Sequence, residues 1–119
     1  MVDTELLMRY ANSRAEDAFA ELVRRYINLV YSAALRQTGG RVSAAQDATQ
    51  AVFIELARQA SKLTRHPALS GWLYTTARRM SGLLVRDEQR RLQREREACT
   101  MQQLLHDREP ELDWGAMAG

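Results

Sequence analysis

Ser43-Ala44-Ala45-Gln46-Asp47-Ala48-Thr49-Gln50-Ala51-Val52-Phe53-Ile54-Glu55-Leu56 decides the reading of this chain. Ala45, Ala48, Val52 and Leu56, continued by Ala60 and Leu63, recur every three or four residues, the spacing that puts side chains on one stripe of an α-helix. Ser43 and Gln46 have the form of a capping box, in which each side chain satisfies a backbone donor near the other. The opposite face carries Asp47, Gln50, Ile54 and Arg58, so one side is built for a core and the other is left for solvent or a partner.

Working upstream, Ser13-Arg14-Ala15-Glu16 has the same capping form and opens a stripe of Phe19, Leu22, Val23, Tyr26, Val30, Ala34 and Leu35. Gly39-Gly40 ends that helix, because glycine takes the left-handed geometry of a helix C-terminus without steric cost. Asp3 is a fair N-cap for a short first helix with Leu6, Leu7 and Tyr10 on one side. Downstream, Pro67 forbids a continuous helix through residues 64–70. Ser70 then has the form of a cap, with Leu69 and Tyr74 at the spacing of a hydrophobic staple. Leu73, Ala77, Met80 and Leu84 give the last helix a core stripe, but from Arg86 to Glu97 Leu92 is its one leucine, and pairs such as Arg91 with Glu95 must support it. No segment alternates with the two-residue period of a strand. The expectation is an all-α bundle of about four helices, over 3–12, 14–38, 43–63 and 70–97. Residues 98–119, acidic and broken at Pro110, read as an irregular linker.

A chain of 119 residues supports one core. It lacks the roughly 20-residue apolar run of a membrane span and the basic-then-apolar start of a secretory signal, so a soluble, cytoplasmic protein is expected. Cys99 has no disulfide partner, and His66 and His106 are too far apart in sequence to suggest a metal site. Neither histidine has a nearby nucleophile or paired carboxylate, so no catalytic residue, metal or cofactor is expected.

The basic residues say more. Lys62 is the only lysine among 17 basic side chains; the other 16 are arginine, whose planar fork suits phosphate and base edges. Residues 78–97 hold seven arginines against four acids, a local excess of three charges, while the rest of the chain carries one net negative charge. On a helical projection Arg79, Arg86 and Arg90 fall within about 40° of one another, with Trp72 one heptad earlier. An aromatic followed by arginines suits unpaired nucleic acid, since a ring stacks on any base and guanidinium neutralises phosphate.

The segment 44–56, followed after a proline-containing loop by Gly71-Trp72-Leu73-Tyr74-Thr75-Thr76-Ala77-Arg78 and an arginine-rich helix, closely resembles region two of bacterial sigma factors, nearest to the extracytoplasmic-function (ECF) group. The resemblance covers residues 3–97 and joins several motifs in fixed order. It implies that Asp47 and Gln50, with Phe53 and Ile54, dock on the β′ clamp helices of core RNA polymerase. It also implies that the loop from Lys62 to Ser70, including Arg65 and His66, receives a flipped base of the non-template single strand of the promoter minus-ten element. Trp72, Arg78, Arg79, Arg86 and Arg90 would then face the DNA. Such factors often have an anti-sigma partner, and full-length members continue into a region-four domain, toward which 98–119 would lead through Asp113-Trp114. Arg79 stands where many members have asparagine, and Ala51 where many have an acid.

Two other classes fit less well. A duplex-DNA regulator needs a helix-turn-helix, but the helix after Gly39-Gly40 is poor in base-reading groups. A helical protein-interaction module extending into a coiled coil would need apolar heptad partners for Leu92.

Overall fold

The computed structural model describes the backbone of residues 1–118 and the side chains of residues 1–106. Among the described residues there is helix and no strand: α1 Asp3–Ser13, α2 Glu16–Gln37, α3 Val42–Arg58, α4 Ala60–Leu63 and α5 Leu69–Ala118. The chain forms two compact units, Met1–Val85 and Arg86–Gly119.

In the first unit, α2 packs on both α1 and α3, and α4 packs on α1. The core joins Leu6 and Leu7 of α1, Leu22, Val30 and Ala33 of α2, Val52, Phe53 and Leu56 of α3, Ala60 and Leu63 of α4, and Leu69, Leu73 and Ala77 at the start of α5. A smaller cluster of Ala34, Ala45 and Ala48, with Leu84 packed against it, lets α2 and α3 approach closely through small side chains. Every residue of the α3 stripe read from the sequence, from Ala45 to Leu63, is buried. Burying a leucine such as Leu22 or Leu56 stabilises the fold by about 1.5–3 kcal/mol.

Helix ends depart from the sequence expectations. Asp3 is the first residue of α1 and not its cap. Its carboxylate instead accepts hydrogen bonds from Arg25, at 3.0 Å, and from Tyr26. Ser13 lies in the last turn of α1 and donates to the Arg9 carbonyl at 3.0 Å, so it cannot cap α2. What separates the two helices is Arg14, left-handed at φ 52°, whose N–H closes α1 on the Tyr10 carbonyl at 2.9 Å. Arg9 then bridges across to Asp17 at 2.9 Å, beside the acid-rich first turn of α2, and that pairing draws the Asp17 carboxyl below its ordinary range. Ser43 and Ser70 are both inside their helices, which begin one residue earlier at Val42 and Leu69.

The helix expected over 43–63 is interrupted at Gln59, whose φ of −104° and ψ of 13° leave the α range. The bend separates α4 from α3, and α4 rests on α1 with both Ala60 and Leu63 buried. Gly39 and Gly40 close α2 as expected, with φ of 66° and 84°, and Gly40 N–H donates to the Leu35 carbonyl at 2.8 Å.

In the second unit the irregular linker expected after residue 97 is not found: helix extends to Ala118. No glycine or proline occurs from Arg86 to Arg108, and Ala98, Met101, Gln102, Gln103, Leu104 and Leu105 are good helix formers. Pro110, the expected breaking point, is carried within the helical backbone, and the side chains of Asp113 and Trp114 lie outside the described residues.

Candidate functional site

The outward face of α3 is where the sequence pattern and the packing meet. Ala45, Ala48, Val52 and Leu56 are turned inward and fully buried, which forces Asp47, Gln50 and Ile54 outward on one line at spacings of three and four. All three are exposed, and Ile54 is 60% exposed, unusual for a β-branched apolar side chain with no cover. Phe53 is placed differently from these: it is buried, part of the core, and reaches the surface only as wall.

That wall belongs to a groove of about 430 Å³ between α2 and α3, lined by Phe19, Val23, Ile27, Thr49, Gln50, Phe53, Ile54 and Ala57. The groove is almost wholly apolar, and the hydroxyl of its Thr49 is engaged by the backbone. Thr49 donates its hydroxyl to the Ala45 carbonyl at 2.7 Å, leaving its methyl group as the apolar part of its side chain. A neighbouring hollow of about 590 Å³ shares Ile27, Thr49 and Gln50 and adds Asn28, Tyr31 and Gln46, so an almost wholly apolar trough passes into one of mixed lining. Ile27, 41% exposed, is the α2 contribution that sequence reasoning missed. Its signal was present in the spacing of Val23, Ile27 and Tyr31, which forms a second apolar line beside the core stripe of α2.

Elsewhere in the first unit, Lys62 in α4 and Arg65 and His66 in the following loop are exposed. The loop is held at both ends. His66 N–H donates to the Leu63 carbonyl at 3.0 Å, and the Ala68 N–H donates to Nδ1 of the His66 ring at 3.2 Å. Arg78 and Arg79 are exposed on α5, and the Arg78 guanidinium lies 5.9 Å from the centre of the exposed Tyr74 ring. Trp72 is half-buried against the main core, so its ring anchors the start of α5 and presents only part of its surface.

In the second unit Arg86 and Arg90 are exposed, together with Gln89, Gln93, Arg94 and Glu97, around a shallow trough of about 590 Å³. Arg90 sits 3.7 Å from Asp87. Arg91 pairs with Glu88 at 2.6 Å, three residues back, in place of the expected pair with Glu95. This bond to Glu88 raises the guanidinium pKa further, and Arg91 stays charged at any ordinary pH.

Among the described residues no three histidine, cysteine, aspartate or glutamate side chains are grouped to hold a metal ion, and no helix is long and apolar enough to cross a membrane. The described residues present an exposed polar ridge beside an apolar groove, and an arginine beside an exposed aromatic ring. The family model for sigma-70 region 2 matches residues 22–94, the span that holds the groove apart from Phe19, the loop, and the arginines of α5 through Arg94. Comparison with curated proteins and with solved structures returns no match. The match covers more than half of the chain, and the chain belongs to the sigma-70 region 2 family, non-enzymatic transcription-initiation factors that bind core RNA polymerase and recognise promoter DNA.

Proposed function

We propose that this chain is an ECF-type sigma region-two domain, acting in the cytoplasm, that docks on the β′ clamp helices of core RNA polymerase and opens the promoter minus-ten element. The observation that carries the docking reading is the outward face of α3, where Asp47, Gln50 and Ile54 stand exposed over the groove walled by Phe53 and Ile27. An amphipathic partner helix would lay its apolar stripe in the groove and its polar edge on Asp47 and Gln50. This arrangement assigns Asp47 and Gln50 to register and specificity, and the groove to the bulk of the affinity. The same face is the one an anti-sigma factor would have to cover.

On the DNA side, opening a promoter needs no covalent chemistry. Extruding one base costs a few kcal/mol of stacking and pairing, and the domain has to repay it with contacts to the unpaired strand. Lys62, at the end of α4, and Arg65 and His66, within the following loop, belong to the segment that would receive the base. Arg78 and Arg79 of the first unit and Arg86 and Arg90 of the second supply phosphate contacts. Trp72, half covered, contributes mainly by fixing the start of α5. The experiment that tests the docking reading is capture of the chain by a clamp-helix fragment, comparing wild type with Asp47→Ala and Gln50→Ala. Reduced capture of both variants is expected. Undiminished capture of both, or no capture of the wild type, would overturn it.

A further inference from the structure

α4 does not take its direction from the helix that precedes it. Gln59, at φ −104° and ψ 13°, leaves the α range, and α4 packs mainly on α1 and only marginally on α3. Ala60 and Leu63 of α4 are buried in the core that also takes Leu6 and Leu7 of α1. α4 in turn carries the start of the following loop. Arg65 N–H donates to the Lys62 carbonyl at 3.4 Å, and His66 N–H donates to the Leu63 carbonyl at 3.0 Å. The backbone of Arg65 and His66 is thus placed by α4, and α4 is placed by α1.

α1 itself needs holding. Its 11 residues fall short of the roughly 12–15 at which an isolated helix becomes even marginally stable, so packing and ties to α2 must keep it. At its N-terminal end the Asp3 carboxylate accepts hydrogen bonds from Arg25, at 3.0 Å, and from the Tyr26 hydroxyl. Arg25 is steadied in turn by Glu21 at 3.2 Å. At the other end Arg9 bridges to Asp17 at 2.9 Å, and the Tyr10 ring lies 4.8 Å from that of Phe19, a wall of the α2–α3 groove. Loss of Asp3 therefore frees the first turns of α1, while the end beside the groove keeps its own ties.

We infer that Asp3 is a positioning residue for the loop after α4: its bonds to Arg25 and Tyr26 latch α1 on α2, α1 seats α4, and α4 sets where Arg65 and His66 meet an unpaired strand. The inference rests on the proposed reading of this loop as the receiver of a promoter base. It makes the two surfaces of the domain separable. α1 packs on α2 and α4, whereas the docking face belongs to α3, so opening the latch weakens the DNA side and leaves docking as it was.

The test uses the complete 119-residue chain and three readouts. These are affinity at low salt for a single-stranded minus-ten oligonucleotide, affinity for a clamp-helix fragment, and NMR hydrogen exchange at the amides of Leu63, Thr64 and His66, which are bonded to the carbonyls of Gln59, Ala60 and Leu63. Asp3→Ala removes both bonds of the latch; Asp3→Asn keeps an acceptor and loses the ion pair. A partly exposed ion pair together with a hydrogen bond shifts an equilibrium by about tenfold, so exchange at the three amides should rise about tenfold in Asp3→Ala and oligonucleotide affinity should fall about fivefold. Clamp-fragment affinity should stay within about twofold of wild type, and Asp3→Asn should fall between the two. Val30→Ala, a truncation of a buried α2 residue outside the latch, shows what lost stability alone does and should keep the two affinities in their wild-type ratio. Unchanged exchange in Asp3→Ala would overturn the inference, as would equal losses of oligonucleotide and clamp-fragment affinity. Faster exchange in Asp3→Ala, from a wild type that binds no oligonucleotide, would uphold the coupling of α1 to α4 and overturn the reading of the loop as a DNA receiver.

Discussion

Truncating Ile54 separates a docking surface from a structural one. Full burial of an isoleucine side chain is worth about 1.5–3 kcal/mol. With Ile54 60% exposed in the free chain, a partner helix that covers it can gain roughly 1–2 kcal/mol from this residue alone. Ile54→Ala removes most but not all of that surface, a loss of about 1 kcal/mol, or roughly fivefold in Kd. Folding should hardly notice. The buried remainder of the side chain is small, and alanine has the better helix propensity, so the two effects offset to within about 0.5 kcal/mol. Leu56, two residues on and fully buried, is the control: Leu56→Ala should cost about 2–5 kcal/mol of stability through its cavity. The assay is titration calorimetry of the chain against a clamp-helix fragment, with urea unfolding of each variant alongside. Ile27→Ala should weaken binding by about threefold, since Ile27 is 41% exposed on the facing wall. An Ile54→Ala chain that binds within twofold of wild type while remaining folded would refute the assignment of this groove to a partner.

Other consequences concern the fold and the cationic surface. Gly40→Ala places a Cβ at φ 84° with open space around it, so the cost is purely conformational, about 1 kcal/mol in urea unfolding. Ser81 is fully buried and its hydroxyl has no hydrogen-bond partner; Ser81→Ala removes an uncompensated polar group and should raise stability by about 1 kcal/mol, read as a higher Tm. Burial, and then the hydrogen bond to Asp3, raise the Tyr26 hydroxyl from 10.0 to about 12. The folded state thus holds this proton more tightly than the unfolded state. Its contribution is complete below pH 10 and is lost as pH rises through about 12, a loss that Tyr26→Phe should abolish in alkaline unfolding curves. Arg79→Ala should lower the slope of log affinity for single-stranded DNA against log salt by about 0.7, one phosphate contact's worth.

The α3 pattern was legible because periodicity reports which face is buried, and the six stripe residues from Ala45 to Leu63 all lie in the core. Helix ends were less legible. A serine two or three residues before an acid or amide resembles a cap wherever it falls, but Ser13 and Ser43 are inside helices whose limits are set by Arg14 and by packing. The break at Gln59 left no local signal, since glutamine is a good helix former, and the reason for the bend is the seat of α4 on α1. At the site, Asp47, Gln50 and Ile54 could be placed from spacing alone, whereas Phe53 turned inward and the contribution of Ile27 required knowing that α2 and α3 face each other. His66 was visible as a residue of the loop. Its bond to Ala68 was not, because a histidine two residues before an amide has no fixed rotamer in sequence.

The most direct test of the whole account is retention of a fluorescent non-template minus-ten strand by three mixtures: the chain alone, core RNA polymerase alone, and the two together. Weak, salt-sensitive retention by the chain, little by the core, and firm retention by the pair are predicted, with the gain lost when Asp47→Ala and Gln50→Ala are combined. Equal retention with and without the core, or a double variant that behaves as wild type, would contradict the account.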